Sequence, residues 1–412
     1  MPVLTVVLAL LSFVGPLSTD MYLPAFPRMA ADLGTDASGV QLTLTAFLAG
    51  MTLGNLVFGP LSDRYGRRRP LLAGSAVCTV ATALCAVAPS LGWLITLRLV
   101  TGFTAAAGIV IGRAVVADVA DGAAAARLLG LLMSLTGIAP IVAPLLGGTA
   151  IEGLGWRSVF WTLGAMTALV AVMVVVGVPE SLPRDRRRPR GARQLAGSVK
   201  EVLSDRAYIG YSLAFTFAFG ALFCYIAGSP FLLQNVLGLG VGTSSVAFSG
   251  GAVVATVSSA VSARVVGRVA PERVLASGLR AMAAGTAALL AATVADMLSV
   301  AACLALLAVV CAGLGLVVGN AAALAIGRVP TAAGTGSALL GTAQNALGAV
   351  VAPLVGLGGS DTALPLFAGM AVCAAVAAGA GAWAPRANAR RPRDKGKPPA
   401  PAEPSDYSEP VG

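Results

Sequence analysis

Twelve long apolar runs, joined by short polar loops, leave this chain few ways to fold. They cover roughly residues 2–24, 40–61, 71–89, 93–116, 127–150, 158–179, 207–233, 244–267, 274–295, 297–325, 334–358 and 362–384. Each is close to or above the roughly 18 apolar residues with which a helix crosses a bilayer. Inside lipid every backbone polar group must be paired within its own segment, so such runs fold as helices. Composition agrees. Of 412 residues, 57% are hydrophobic and 11% charged, against about 25% charged in a soluble domain. The expected fold is an all-α membrane protein with 12 transmembrane helices in two six-helix halves.

The basic residues set its orientation. Of 28 Lys and Arg, 25 fall at one set of loops, ends and tail. Only Arg28 and Arg157 fall at the other, and Arg98 lies inside a span. Such asymmetry predicts that both termini are cytoplasmic. It also explains the net charge of +10 without a nucleic-acid partner, because the charges are spread over short loops. No Lys or Arg precedes the first run, and Asp20-Met21-Tyr22-Leu23-Pro24 follows it in place of small residues. That run is therefore expected to be a span and not a cleaved leader.

Four segments follow: a first bundle at 1–179, a basic linker at 180–206, a second bundle at 207–384 and a tail at 385–412, expected to be disordered. The linker from Glu180 to Arg206 holds eight basic residues. The halves carry faint copies of each other. Ser62-Asp63-Arg64-Tyr65-Gly66-Arg67 returns as Ser262-Ala263-Arg264-Val265-Val266-Gly267-Arg268. Ile141-Val142-Ala143-Pro144-Leu145-Leu146-Gly147 returns as Val350-Val351-Ala352-Pro353-Leu354-Val355-Gly356. Two related halves are what a rocking transporter needs, with its substrate between them.

Few residues can carry chemistry. There is no histidine, so proton movement would rest on carboxylates. Cys78, Cys85, Cys224, Cys303, Cys311 and Cys373 all lie in apolar runs without metal-ligand spacing, and are expected to be free and buried. No metal and no cofactor is expected. No Gly-Lys-Ser/Thr loop holds a nucleotide, so the chain reads as neither an enzyme nor an ATP-driven pump. Asp20 is the one carboxylate placed inside a span. An ionised acid there must be protonated or paired, which suits proton coupling. Met1 opens directly in the first run. At 1.5 Å per residue Asp20 is then expected about 28 Å along, near the outer side, unless a longer tilted helix or an upstream start places it deeper. Arg98 keeps its charge in a protein and needs a partner or a wet cavity. The bland alternative is that it snorkels outward past Trp93.

Gly59–Pro70 packs five charges between the second and third runs. Gly59, Leu61, Ser62, Asp63, Arg64, Gly66, Arg67 and Arg68 resemble, position for position, the loop between helices two and three of major facilitator transporters. Ser18-Thr19-Asp20-Met21-Tyr22-Leu23-Pro24-Ala25 resembles the first span of the bicyclomycin- and chloramphenicol-resistance (Bcr/CflA) exporters of that superfamily. Gly137, Pro140, Pro144, Gly147 and Gly148 in the fifth run resemble the antiporter motif of its drug exporters, with Ala143 where the broader motif has glycine. Arg98, four residues before Gly102, matches an arginine that the family associates with proton coupling.

The resemblance implies a major facilitator fold and a gating cluster. Arg113 and Asp118 lie at the inner end of span four. Asp118 would face Arg67 or Arg68, and Asp63 would sit at the amino end of span eleven, where a helix dipole favours an anion. The implied function is a monomeric, proton-coupled antiporter that exports small amphipathic drugs across a bacterial cytoplasmic membrane. The cavity candidates are Tyr22, Gln41, Thr45, Asn55, Phe217, Tyr225, Gln234, Gln344 and Asn345. A proton-coupled metabolite importer of the same fold, or a non-transporting membrane sensor, are the rival readings.

Overall fold

The computed structural model describes residues 2–120, 122–183, 187 and 192–389. The expected disordered tail lies almost wholly outside them. Twelve helices are long and apolar enough to cross a membrane: Val3–Asp32, Ala37–Tyr65, Arg68–Ala86, Leu91–Val119, Arg127–Leu154, Arg157–Gly177, Arg206–Val236, Val241–Val265, Pro271–Val294, Val300–Ile326, Pro330–Gly358 and Leu364–Ala384. They are numbered below as spans one to twelve. The protein is a multi-pass membrane protein.

Local chemistry sets the span ends. Asp36, Ser90, Asp205 and Ser299 cap spans two, four, seven and ten by accepting backbone N–H groups that the first turn leaves unpaired. Within the spans, threonine hydroxyls such as those of Thr101 and Thr286 donate back to a carbonyl four residues earlier, so they carry no unpaired donor into lipid. Spans two and four cross with almost no side chain between them. A Cβ at Gly50 or Gly54 would run into the carbonyl of Leu99 or Phe103, and one at Gly102 into that of Phe47. Small residues permit this backbone approach.

Two expectations are corrected. The first apolar run covers 2–24, but span one continues to Asp32. Its helix Pro2–Asp20 stops at a turn, a short 3-10 segment Leu23–Ala25 follows, and a second helix Phe26–Asp32 completes it. Pro24 and Pro27 sit at first-turn positions, where a missing N–H costs nothing, so they restart the helix instead of ending it. Asp20 is therefore not at an outer, water-exposed end. It lies inside the span and is only 4% exposed. The charged loop is also shorter than read. Helix continues to Tyr65 and resumes at Arg68, leaving Gly66 and Arg67 as the turn. Gly66 has φ of 88°, a left-handed conformation that glycine adopts without cost.

The halves meet most closely at the end away from the basic loops. Spans two and eleven pack together there, as do spans five and eight. Among the described residues, the hydrogen bonds joining the halves run from Ser38 to Pro353, Gln41 to Ala227, Gln234 to Pro24, Gly242 to Glu152 and Thr256 to Gly137. The linker contains a helix, Ala192–Ser204. It packs beside the start of span eleven, with Val202 buried and Glu201 accepting a hydrogen bond from Thr331.

Candidate functional site

The break in span one sets the turn after Asp20 against span five through Met21, and Tyr22 against spans two, four and six. Asp20 closes the C-terminal end of its helix, where the macrodipole is itself negative. Among the described residues no cation lies within ion-pair distance of it. Gly147 on span five presses on the turn that follows: a Cβ there would collide with the carbonyl of Met21. Gly148 faces Ser245 of span eight, where a Cβ would stand 2.5 Å from the hydroxyl Oγ. The glycines of the fifth-span pattern thus seat the Asp20 turn and the neighbouring half. Pro140 and Pro144 stay inside the helix. Gly137 accepts the long bond from Thr256 at 3.4 Å.

Gly147→Ala should force that turn aside. We expect destabilisation of about 1–3 kcal/mol, the usual cost of overpacking, and a matching loss of transport. Thermal unfolding in detergent and an efflux assay measure the two.

Arg98 does not snorkel. It is 0% exposed, while Trp93 nearby is exposed. Its guanidinium lies 4.3 Å from the ring centroids of both Tyr22 and Phe47, and 5.9 Å from that of Phe160. Its Nη2 donates to the carbonyl of Ser18 at 2.8 Å, while Nε and Nη1 have no hydrogen-bond partner. Arg98 therefore grips the backbone just before Asp20 and the ring just after it, with no ion pair to the carboxylate. Tyr22 is fixed in turn by Thr43, 3.2 Å from its hydroxyl. The cage residues Phe47 and Phe160 escaped sequence reasoning, because an aromatic within an apolar run looks like ordinary packing.

At the basic end, Arg67 is the hub of an ion network. Its Nη1 donates to Asp63 at 2.6 Å and its Nε to Asp118 at 2.9 Å. Burial alone would lower the pKa of Arg67, but the hydrogen bonds it donates to Asp118 and Asp63 outweigh it and push the pKa up. Glu180 Oε1 accepts the backbone N–H of Arg67 at 2.8 Å, and its Oε2 pairs with Arg187 at 3.3 Å. Ser181 donates to Asp118 at 2.9 Å. Gly66 has a second reason to lack a side chain: a Cβ would strike Glu180 and stand 2.7 Å from Arg187. Glu180 was missed, although it is the first charge after span six.

The expected contact of Asp118 with Arg67 is present. The bonds described for Asp63 run to Arg67 of its own turn, and among the described residues no ion pair of the cluster crosses to span eleven. Arg68 donates to Val175 instead of an acid. Arg64 lies over Tyr65 and is exposed. Arg113 is exposed and makes none of these contacts. Gly59 lies inside the helix of span two. In the second half a neutral bond stands at the repeat's counterpart, from Asn320 to Ser262 at 2.7 Å. Asp118→Asn should leave Arg67 to Asp63 alone and lower thermal stability by a few degrees at low ionic strength. The loss should shrink in high salt, since screening weakens partly exposed pairs.

Several of the cavity candidates already have partners in the fold. Gln41 and Gln234 tie the halves together, and Tyr22 belongs to the arginine cage. Tyr225 stacks on Phe248 at 5.2 Å within the second half and borders a small apolar cavity with Met282, Cys311 and Met370. Thr45, Asn55, Phe217 and Gln344 are half-buried, and Asn345 is buried. The six cysteines are free and buried.

A family model described as Major Facilitator Superfamily matches residues 8–353. The chain belongs to the major facilitator superfamily. Its relatives include proteins named for bicyclomycin and multidrug resistance. It is 28% identical to the "Bicyclomycin resistance protein homolog" of Haemophilus influenzae, over 90% of this chain and 92% of that one. It is 38% identical to the "Uncharacterized MFS-type transporter YdgK" of Bacillus subtilis, over 60% of this chain and 61% of that one. It is 32% identical to the "Multidrug resistance protein MdtL" of Klebsiella pneumoniae, over 60% and 62%. The matched stretches thus span less than two thirds of YdgK and MdtL. Solved structures share the fold. A bacterial homologue of the human lysosomal transporter Spinster, in an inward-facing and unoccupied conformation, gives a TM-score of 0.73 at 17% identity, covering 93% of this chain and 96% of that one. A D-xylose-proton symporter gives 0.72 at 14%, covering 93% and 96%. As a member of this family the protein is a transporter, not an enzyme.

Proposed function

We propose that this transporter is an antiporter, exchanging protons for small amphipathic compounds that it exports across a bacterial cytoplasmic membrane. The observation that carries the reading is Asp20: a buried carboxylate without a counter-ion among the described residues, at the one break in span one. Such a group is costly when ionised and acceptable when protonated, so moving it between two environments moves a proton. Arg98 acts on it through the segment Ser18–Tyr22, which it holds at both sides of the acid. The gating residues Asp63, Arg67 and Asp118, joined by Glu180, steady the basic end, which faces the cytoplasm together with both termini. The fifth-span glycines carry movement of the second half to the Asp20 turn.

The relatives named for bicyclomycin and multidrug resistance support export over import. Phe217, Tyr225, Thr45, Asn55, Gln344 and Asn345 remain the candidate substrate contacts, two aromatic rings and four uncharged polar groups that would sit among the apolar walls of the spans and suit varied amphipathic compounds. The transporter works as a monomer, needs no cofactor and binds no nucleic acid. Everted vesicles test the reading. An exporter dissipates a preset pH gradient when its substrate is added, and it raises drug tolerance in a host stripped of its own pumps. Bicyclomycin and chloramphenicol are the first compounds to try. A panel in which no compound moved protons or conferred tolerance would overturn it.

A further inference from the structure

Three of the contacts that join the halves at the end away from the basic loops, unlike the bond from Gly242 N–H to the Glu152 carboxylate, have a common chemistry. Gln41 Nε2 donates to the carbonyl of Ala227 at 3.0 Å, Ser38 Oγ to that of Pro353 at 3.1 Å, and Gln234 Nε2 to that of Pro24 at 2.9 Å. Each is an uncharged side chain of one half on the backbone of the other. The network around Arg67 at the opposite end is ionic.

Gln41 is 0% exposed. Its Oε1 has no donor and lies against Gly356. A Cβ at Gly356 would collide with that oxygen and stand 2.6 Å from Ser38 N and 2.7 Å from Ser38 Cα. Span two can thus close on span eleven only because residue 356 has no side chain. In the internal repeat, Gly356 holds the place that Gly147 holds in the first half, where it meets the turn after Asp20. The two copies of one motif have become two seats, one for span one and one for span two. The tie from Gln234 lands on Pro24, four residues past Asp20, so opening this end also pulls on the proposed proton site.

We propose that Gln41, Ser38 and Gln234, seated by Gly356, form the outer seal of the transporter, and that Gly356 sets the balance between its closed and open states. The proposal rests on the alternation of two states that any transporter of this family needs, and not on the identity of the exported compound.

Position 45 reports opening, being one turn inward from Gln41 on the same face of span two. In whole cells expressing the full chain, Thr45→Cys would be exposed to a membrane-impermeant maleimide, with the parent protein and its six buried cysteines as the blank. Adding Gly356→Ala should speed labelling at least about tenfold. That equals about 1.4 kcal/mol of shifted balance, the size of one hydrogen bond lost from the seal. Gln41→Ala, which adds no volume, should act in the same direction. In everted vesicles both changes should slow labelling of the same cysteine. Unchanged rates in cells for both folded variants would overturn the proposal. If Gly356→Ala does not fold, unchanged labelling in Gln41→Ala alone overturns it. Labelling needs no substrate, so this outcome is independent of whether drug export is found.

Discussion

Asp20→Asn should abolish substrate-driven proton movement while leaving a folded protein. Asparagine keeps the shape and polarity of the side chain but has no proton to exchange. In everted vesicles, the response of a pH-sensitive dye to added drug should fall to that of vesicles without the protein. Folding should not suffer. Asp20 has no ion-pair partner among the described residues, so the change strands no buried cation. Losing one partner of a buried ion pair would be a different matter, costing about 3–5 kcal/mol. Removing an ionisable group that is only 4% exposed should leave the melting temperature in detergent equal or higher. Equilibrium binding of the exported drug should lose its pH dependence and weaken, because the variant is fixed in the neutral form that an exchanger reserves for its proton-bound state. Full drug-dependent proton movement in Asp20→Asn would remove Asp20 from the mechanism.

Arg98 gives the second large effect, and two substitutions divide its roles. Arg98→Met keeps length and apolar bulk in a site walled by Tyr22, Phe47 and Phe160. Replacing a buried ion by a well-packed apolar residue is often neutral for stability. Here it also leaves no carboxylate unpaired. The variant should therefore melt within a few degrees of the parent and yet export at least about tenfold more slowly. Its Asp20 segment would have lost both the charge and the bond to Ser18. Arg98→Lys keeps the charge but not the flat guanidinium that fits between two rings and reaches a carbonyl at once. Stacking of this kind is worth about 2 kcal/mol in a dry site. Lysine should thus cost more stability than methionine, an order opposite to the usual idea of a conservative change. Full export by Arg98→Met would reduce Arg98 to a packing residue.

Much of the fold was legible in the residues. The expected spans and the observed helices differ by a few residues at most ends. The main exceptions are span one, which runs on past Pro24 to Asp32, and the turn at Gly66–Arg67. Both have the same cause. Apolarity marks where a segment can meet lipid, but a helix continues through Asp63 and Arg64 once it has left the apolar layer. It also restarts at prolines whose missing N–H falls in a first turn. The site was legible in part. Asp20 and Arg98 stand out as charges in apolar surroundings, and the pattern at Gly59–Pro70 marks the family. The partners did not show. Glu180 and Ser181 read as the start of a linker, and Gln41 and Gln234 as cavity polar groups, because no local signal tells a polar side chain which neighbour it will meet.

By itself the sequence determined the number of spans, their places and the side that carries the basic loops. Entry into a membrane depends on a window of about 20 residues and on the charges that flank it, and both are local. Only the tertiary structure decided what those residues do to one another. It caged Arg98 between rings from spans one, two and six, sank Asp20 beside the fifth-span glycines, and closed Gly356 on Gln41. Those contacts join residues far apart in the chain, 80 positions for Arg98 and Ser18 and 315 for Ser38 and Pro353. They exist only once the helices have packed.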